Sequence, residues 1–156
     1  MVQAQVTETI RCKPDELLEF VMDIERYAEV DVKIRPIDWA RRDGELTEFR
    51  FRPKLPGVPL PSPKWVQQIR LTPGRRVDIT NAPLPHNRLG HRMLTFTASF
   101  VVEPVDAGTK VTRTVRMDFK PYLRWLAEPM LRGKLQAGVQ DEIRGAKAYL
   151  EGRHDG

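Results

Sequence analysis

Residues 8–27 read ETIRCKPDELLEFVMDIERY, the end of a strand followed by two short helices. Apolar and polar residues alternate over residues 3–10, which predicts the strand, because side chains on a strand point to opposite faces in turn. Pro14 stands where proline favours a first helical turn, and acidic residues follow it near the positive end of the helix. The second helix is predicted over residues 25–30. Neither helix is long enough to be stable alone, so both must pack on a larger element.

Six further strands are predicted after these helices, because alternation continues through most of the middle of the chain. They span residues 33–42, 46–52, 64–71, 76–80, 91–103 and 109–119. The first two meet at Asp43-Gly44, a dipeptide typical of a tight hairpin turn. Residues 53–63 contain five prolines and cannot join a sheet ladder, so they are predicted to form an extended loop. A second proline-containing loop is predicted over residues 81–90.

The C-terminal part, residues 121–151, is predicted to be a long helix with a break or kink at Pro129. Apolar residues recur along it at intervals of three and four and define one face. This face consists of Leu131, Leu135, Val139, Ile143, Ala146 and Leu150. The order of elements predicts an α+β fold in which a curved antiparallel sheet of about seven strands wraps round the C-terminal helix. Residues 1–156 are expected to form a single domain.

The composition is that of an ordered globular protein, with 40% hydrophobic and 30% charged residues. No stretch is apolar over the ~18 residues that a membrane-spanning helix needs, and the N-terminus lacks the features of a signal peptide. A cytoplasmic location is therefore expected. Cys12 is the only cysteine, which excludes an intramolecular disulfide, and His86 and His91 fall in a turn-rich stretch typical of loop residues. We expect neither a metal site nor a cofactor.

Two stretches of this sequence resemble the START-related helix-grip superfamily, and in particular its polyketide cyclase/dehydrase and lipid-transport branch. Residues 8–27 are similar to the first strand and the two short helices of that fold. Residues 108–115, GTKVTRTV, and the helix from Leu131 are similar to its last strand and its closing helix. The resemblance implies a cavity between sheet and helix that holds a small hydrophobic molecule. It implies no catalytic residue, because the superfamily includes lipid carriers, hormone receptors, cyclases and regulatory proteins.

Aromatic and aliphatic side chains are predicted to line this cavity if the apolar face of each strand points inward. On the strands they are Trp39, Phe49, Phe51, Trp65, Ile69, Phe96, Phe100, Val115, Met117 and Phe119. On the helix they are Trp125, Leu126, Met130, Leu131, Leu135 and Val139. Walls of this kind are typical of small-ligand sites. The same residues would also make up a filled core.

Three polar residues are also predicted to point inward. Arg113 lies between Val111 and Val115 on one face of its strand, Gln67 has the same parity as its apolar neighbours, and Glu142 lies near the inward stripe of the helix. An unpaired charge in an apolar interior is costly, so Arg113 needs a carboxylate or a polar ligand. We expect Arg113, with Glu142 and Gln67, to bind the polar end of a ligand. The alternatives are a structural Arg113–Glu142 pair, or an arginine that reaches solvent at the cavity mouth.

The sequence favours a protein that binds a hydrophobic molecule of lipid, polyketide or isoprenoid type. The alternative is a cyclase or dehydratase, since an arginine and a carboxylate could polarise a carbonyl group and move a proton. A third hypothesis is an interaction module that uses a basic sheet face formed by Arg50, Arg52, Arg70 and Arg76. Nucleic acid is not expected as a partner, because no exposed aromatic residues are interleaved with these arginines. A sheet edge or the basic face could form a homodimer, but nothing in the sequence selects an oligomeric state.

Overall fold

The computed structural model describes residues 1–54 and 63–155. Most of the proline-rich stretch that was expected to form an extended loop lies outside the described residues. The strands are β1 (Val2–Ile10), β2 (Ile37–Asp43), β3 (Leu46–Phe51), β4 (Trp65–Thr72), β5 (Arg76–Asn81), β6 (Leu94–Val105) and β7 (Gly108–Phe119). The helices are α1 (Pro14–Met22), α2 (Ile24–Tyr27), α3 (Arg88–Met93), α4 (Pro121–Arg132) and α5 (Leu135–Asp155). A short 3₁₀ turn, Val32–Ile34, lies between α2 and β2.

The seven strands form one antiparallel sheet in the order β1-β7-β6-β5-β4-β3-β2. Strands β2 to β7 follow one another as hairpin neighbours, and β1 joins the sheet by pairing with β7 along its whole length. Ala4 lies opposite Val115 and Val6 lies opposite Arg113 in this pairing, so these four side chains share the inner face. Helix α5 packs against β1 and β7. The predicted α+β fold, a curved sheet round a C-terminal helix, is confirmed.

The buried core lies between the inner face of the sheet and helices α1, α2 and α5. The predicted apolar face of the C-terminal helix is buried in full, from Leu131 to Leu150. Gly145 brings α5 close to the chain after α2, because a Cβ atom at this position would lie 3.3 Å from Val30 Cβ. The small residue therefore sets how closely the helix approaches its neighbour. None of the described helices is both long and apolar enough to span a membrane.

The start of β2 differs from the prediction. The strand begins at Ile37 rather than at residue 33, because a 3₁₀ turn occupies the intervening residues. Asp31 caps this turn by accepting a hydrogen bond from the backbone N–H of Lys33 at 3.1 Å. The turn directs Asp31 and Lys33 toward the interior side of the sheet, where both take part in the site described below.

Two further boundaries differ. Helix α3 replaces the end of a predicted loop and the predicted start of β6, and the Asn87 side chain anchors the chain before it by hydrogen bonds to both backbone groups of Val66. Pro129 does not break the C-terminal helix: α4 continues to Arg132, and the chain turns at Gly133 and the residue after it. Pro129 is exposed, so water can satisfy the carbonyl that loses its helical hydrogen bond.

Candidate functional site

A cavity lies between the inner face of the sheet and helices α1, α2 and α5. Its volume is about 110 Å³, and because one water needs at least about 10–15 Å³ of such space, several waters or part of a small organic molecule would fit. The apolar wall is formed by Val21, Ile24, Ile34, Phe49, Phe51, Pro53, Trp65, Ile79, Leu94, Phe96, Val115, Met117, Leu135 and Val139. The polar wall is formed by Tyr27, Asp31, Lys33, Lys54, Gln67, Asn81 and Arg113.

Most of the residues predicted to bind a ligand lie in this wall. They are Phe49, Phe51, Trp65, Gln67, Phe96, Arg113, Met117 and Leu135. All of them except Leu135 lie on strands, and strand alternation places them on the inner face of the sheet. Leu135 lies on the apolar face of α5, opposite the sheet. Four other expected wall residues, Ile69, Phe100, Phe119 and Leu131, are buried in the filled core rather than in the cavity wall.

Trp39 lies on the outer face of the sheet, which corrects the prediction that it points inward. A β-bulge between Ile37 and Trp39 shifts the register, so Trp39 lies opposite the exposed Arg50 and Ala40 lies opposite the buried Phe49. One extra residue in a strand moves every later side chain of that strand to the opposite face of the sheet. The Trp39 ring instead packs against the Arg41 guanidinium, whose central carbon lies 5.2 Å from the ring centroid.

The predicted cavity residues of α4 are also corrected. Trp125 and Leu126 are exposed, and Met130 is half-buried outside the cavity wall. The helix instead packs on the core through the fully buried Leu131 and the partly buried Leu123 and Ala127. Because a turn separates α4 from α5, the helical spacing of the apolar residues in α5 does not predict which residues of α4 face the cavity.

Arg113 and Glu142 form a buried ion pair between the sheet and α5. Arg113 Nε donates to Glu142 Oε2 and Nη2 donates to Oε1, both at 3.1 Å. The guanidinium also lies over the Phe100 ring, with its central carbon 4.2 Å from the centroid. Burial is the largest single effect on each group and works against its charge, but the surrounding groups together outweigh it. Glu142, with Tyr27 and Asp31, raises the pKa of Arg113, and Arg113, with Lys33 and Asp31, lowers the pKa of Glu142. The arginine is buried rather than open to solvent at the cavity mouth.

One nitrogen of this arginine has no hydrogen-bond partner in the described part of the chain. Arg113 Nη1 is buried and donates to no acceptor among the described residues, and the hydroxyl of Tyr27 is likewise buried without a hydrogen bond there. Both residues line the cavity. Burial, and then the charge of Glu142, raises the pKa of Tyr27, so the phenol is a neutral donor. Two residues of the cavity wall therefore carry buried donors that have no acceptor among the described residues, and such unmade hydrogen bonds are costly.

Asp31 adds a second buried carboxyl group next to this pair. Burial, followed by the charge of Glu142, raises the pKa of Asp31 to about 7. Lys33 acts in the opposite direction, with its Nζ 3.9 Å from Asp31 Oδ1. Two carboxyl groups that perturb each other in this way share protons, and Arg113 keeps the charge on Glu142. Asp31 is therefore the group that changes protonation near neutral pH.

Gln67 forms a second polar feature of the wall with Asn81. Gln67 Nε2 donates to Asn81 Oδ1 at 3.1 Å, and the two residues lie directly opposite each other on β4 and β5. Sequence reasoning found Gln67 from its parity but missed Asn81. The turn at residues 72–75 carried the signal, because hairpin pairing counted outward from it places Asn81 opposite Gln67.

Sequence reasoning also missed Tyr27, Asp31 and Lys33. Tyr27 was part of the quoted helix motif, but nothing local indicated that it lines a cavity. Asp31 and Lys33 fell in or beside a predicted strand, and only the packing of the 3₁₀ turn against β7 and α5 brings them to Arg113 and Glu142.

The predicted basic sheet face is partly neutralised. Arg76 Nη2 lies 2.7 Å from Asp78 Oδ1, and Arg50 Nε lies 3.8 Å from Asp38 Oδ2. Acidic partners on the same face reduce the field that an anionic macromolecule would meet.

Comparisons of sequence and structure place this architecture among known proteins. The structure is similar to that of a protein from Thermus thermophilus, with a TM-score of 0.75, 14% identity and coverage of 97% of this chain and 98% of that one. It is similar to the di-domain ARO/CYC StfQ from the steffimycin biosynthetic pathway (TM-score 0.74, 17% identity), covering 99% of this chain and 52% of StfQ. It is also similar to the Zhui aromatase/cyclase from Streptomyces sp. R1128 (TM-score 0.67, 14% identity), covering 98% and 93%. No curated protein matches the sequence.

These structural matches show a shared helix-grip fold, and at such low identity they show the fold alone. Membership rests on sequence. The family model described as polyketide cyclase / dehydrase and lipid transport matches residues 1–151. The match covers nearly the whole chain, including every described strand and the wall of the cavity. The chain therefore belongs to the polyketide cyclase / dehydrase and lipid transport family.

Proposed function

We propose that the protein binds a small hydrophobic molecule of lipid, polyketide or isoprenoid type in its internal cavity, with the polar end of the molecule at Arg113. The observation that carries this proposal is Arg113 Nη1, a buried donor without an acceptor among the described residues, on a residue that lines a cavity with aromatic and aliphatic walls. The walls favour hydrocarbon through the hydrophobic effect. The donor favours a ligand that brings an acceptor, because an unmade buried hydrogen bond is costly.

The charge at the site favours a neutral polar end. Glu142 already balances the guanidinium of Arg113 through two hydrogen bonds. A ligand carboxylate at Arg113 would add another anion next to Glu142 and Asp31 in a buried setting, which is unfavourable. Of the two lysines in the cavity wall, Lys33 already pairs with Asp31 and Lys54 is exposed, so neither is a buried cation that lacks a counter-ion. A ketone or ester carbonyl could accept from Arg113 Nη1 and from the Tyr27 hydroxyl without adding charge. We therefore expect a preference for carbonyl compounds over acids of the same shape.

The first experiment is native mass spectrometry of the purified protein, with extraction and identification of any bound molecule. A second experiment measures the affinity of three matched probes by calorimetry: 2-acetylnaphthalene, 2-ethylnaphthalene and 2-naphthoate. The proposal expects 2-acetylnaphthalene to bind about tenfold more tightly than 2-ethylnaphthalene, the gain of a hydrogen bond to a charged donor, and 2-naphthoate to bind most weakly. Bare protein in the spectrum together with no binding of any probe would overturn it.

A conservative variant isolates the polar contact. Tyr27→Phe removes only a hydroxyl that has no described partner, so the fold should be preserved. Affinity for 2-acetylnaphthalene should fall several-fold, while affinity for 2-ethylnaphthalene should not change. Tyr149→Phe is the matched control, because the Tyr149 hydroxyl accepts from Arg26 Nε at 3.2 Å outside the cavity wall. Equal effects of the two variants on 2-acetylnaphthalene would contradict the proposed contact.

A cyclase or dehydratase is the second candidate, and Asp31 is the observation that favours it. A carboxyl group with a pKa of about 7 is present in both protonation states near neutral pH, as general acid–base chemistry requires. In an intramolecular aldol step, ionised Asp31 would take a proton from a CH₂ group between two carbonyls. The carbanion would form a C–C bond to another carbonyl carbon, whose oxygen takes up a proton to become a hydroxyl. Loss of that hydroxyl with a neighbouring proton would release water.

The enzymatic candidate is tested with a synthetic poly-β-ketone thioester, and cyclised product is followed by liquid chromatography and mass spectrometry. The candidate expects faster cyclisation than in buffer and loss of that acceleration in Asp31→Asn. Asp31→Asn should leave the binding of 2-acetylnaphthalene within about twofold, because the donors to its carbonyl are unchanged. Cyclisation no faster than in buffer would leave ligand binding as the function.

A further inference from the structure

The first turns of α4 expose an unusual set of apolar side chains. Trp125 is 72% exposed, Tyr122 is 61% exposed and Leu126 is 45% exposed. Residues three and four positions apart share one face of a helix, so these side chains form a continuous surface. The opposite face of α4 packs on the core through Leu123 and Ala127. Trp125 is the most exposed large apolar side chain among the described residues, and nothing in the cavity explains it.

Helix α3 extends this surface. The Tyr122 hydroxyl donates a hydrogen bond to the backbone carbonyl of Arg92. The backbone N–H of Lys120 donates one to the backbone carbonyl of Met93 at 2.9 Å. The end of α3 and the start of α4 are therefore direct neighbours. Leu89 on α3 is 58% exposed, and it shares a helix face with Arg92 three residues later.

The same surface carries unbalanced positive charge. Arg88, Arg92 and Lys120 are exposed, and none of them forms a salt bridge with a carboxylate in the described part of the chain. Arg124 differs, because its guanidinium lies 3.5 Å from Asp118 and 3.8 Å from Glu128. Three exposed cations thus lie on these two helices or at their junction, together with an exposed tryptophan, a tyrosine and two leucines. We call these residues of α3 and α4, with Lys120, the α3–α4 surface.

We propose that the α3–α4 surface docks on an anionic lipid bilayer. Tryptophan and tyrosine prefer the boundary between headgroups and acyl chains, and leucine enters the acyl region. Lysine and arginine near such a surface are attracted by anionic headgroups. A second copy of the chain fits less well as the partner. A symmetric dimer through this surface would bring Arg88, Arg92 and Lys120 of one copy close to the same three cations of the other copy.

Docking would bring the bilayer next to the cavity. Gly90 of α3 lies against the Trp65 ring so closely that a Cβ atom there would be 2.3 Å from the ring. Trp65 and Leu94, the residue that follows α3, both line the cavity. Helix α3 thus carries part of the α3–α4 surface and also packs against Trp65, a residue of the cavity wall. The proposal itself rests only on the surface residues and holds whether or not a lipid enters the cavity.

Vesicle sedimentation tests the proposal with the full chain. Vesicles of phosphatidylcholine alone are compared with vesicles that also contain phosphatidylglycerol, at low and high salt. We expect binding to the anionic vesicles, weakened by salt. Trp125→Ser combined with Leu126→Ser should lower the affinity roughly tenfold or more. Replacement of Arg88, Arg92 and Lys120 by glutamine should lower it by about fivefold for each cation.

Matched controls separate this surface from net charge. Replacement of Arg70, Arg75 and Lys110 by glutamine removes the same charge at the opposite end of the sheet, and Val101→Ser removes an exposed apolar side chain there. Both controls should bind like the original protein. Equal loss in the control triple variant, or no binding to anionic vesicles, would overturn the proposal.

Fluorescence gives a second readout. Trp125 emission should shift to shorter wavelength on anionic vesicles, and Trp125→Phe should abolish the shift although Trp39 and Trp65 remain. A shift that persists in Trp125→Phe would overturn the proposal. So would sedimentation velocity that shows a dimer dissociated by Trp125→Ser, together with no vesicle binding.

Discussion

Arg113 on β7 and Glu142 on α5 join the sheet to the C-terminal helix by two parallel hydrogen bonds of 3.1 Å in a fully buried position. Removal of one member leaves the other charge buried and unpaired. Arg113→Leu should therefore destabilise the protein by about 3–5 kcal/mol, measured as the free energy of unfolding in urea. Arg76→Gln removes an exposed pair with Asp78 and should lower the same free energy by less than about 1 kcal/mol.

The double variant Arg113→Leu/Glu142→Leu distinguishes a stabilising pair from a binding group. Apolar replacement of both partners removes the unpaired charge, so most of the lost stability should return. The full preference for 2-acetylnaphthalene over 2-ethylnaphthalene should not return, because Arg113 Nη1 is gone and only the Tyr27 hydroxyl remains as a donor. A double variant that regains stability and keeps this preference would show that Arg113 does not contact the carbonyl.

Asp31 should make stability depend on pH. Its pKa is raised from 3.8 to about 7, so the folded protein binds the proton more tightly than the unfolded chain does. This contribution is complete below about pH 4 and is lost as the pH rises to about 7, by up to about 4 kcal/mol. Asp31→Asn is neutral at every pH, and its side-chain oxygen can still cap the 3₁₀ turn. The unfolding free energy of Asp31→Asn should therefore rise relative to the original protein between about pH 5 and 7.5.

The charges around Asp31 do not change the sign of this prediction. Glu142, Lys33, Arg113 and Tyr27 all face it and are present in both proteins. Because the pKa of Glu142 is lowered from 4.5 to about 2, ionised Glu142 stabilises both proteins at pH values above its ordinary pKa. This contribution is lost only as the pH falls toward about 2. A difference between the two proteins that is the same at pH 5 and pH 7.5 would contradict the assignment of Asp31.

Gly90 should not tolerate a side chain. Alanine favours a helix over glycine by about 1 kcal/mol, but its Cβ would lie 2.3–2.9 Å from three carbons of the buried Trp65 ring. Gly90→Ala should therefore destabilise the protein by about 1–3 kcal/mol and change the affinity for 2-acetylnaphthalene. Gly133→Ala is the control, because nothing lies within 4 Å of its Cβ position and its φ of −85° suits alanine. This variant should be neutral or slightly more stable, and equal destabilisation of both would be unexpected.

Because the bulge in β2 turns Trp39 to the outer face of the sheet, Trp39 should contribute little to ligand affinity. Trp39→Ala removes a side chain from the outer face and should change the affinity for 2-acetylnaphthalene by less than about twofold. Phe51→Leu shortens a side chain of the cavity wall and should lower this affinity about threefold or more. Calorimetry with both variants checks the contrast. A large effect of Trp39→Ala would mean that the strand register differs.

Local pattern was sufficient wherever a residue's role follows from its immediate neighbours. The alternation of β3, β4 and β7 placed Phe49, Gln67 and Arg113 on the inner face, because side-chain direction on a strand changes sign at every residue. Prediction from local pattern failed where a bulge adds one residue to a strand and where a turn divides a helix. The bulge before Trp39 reverses its direction, and the turn after α4 separates Trp125 from the stripe of α5.

The sequence by itself determined the order of the strands and of the helices other than α3, the antiparallel sheet round a C-terminal helix and most of the apolar cavity wall. These follow from the spacing of apolar residues, which reports the free energy of burying one face of each element. Only the tertiary structure decided that Asp31 lies beside Glu142, that Tyr27 and Arg113 line the same cavity, and that Trp125 faces outward. Such positions depend on packing between residues far apart in the chain, and no local spacing records which of them will meet.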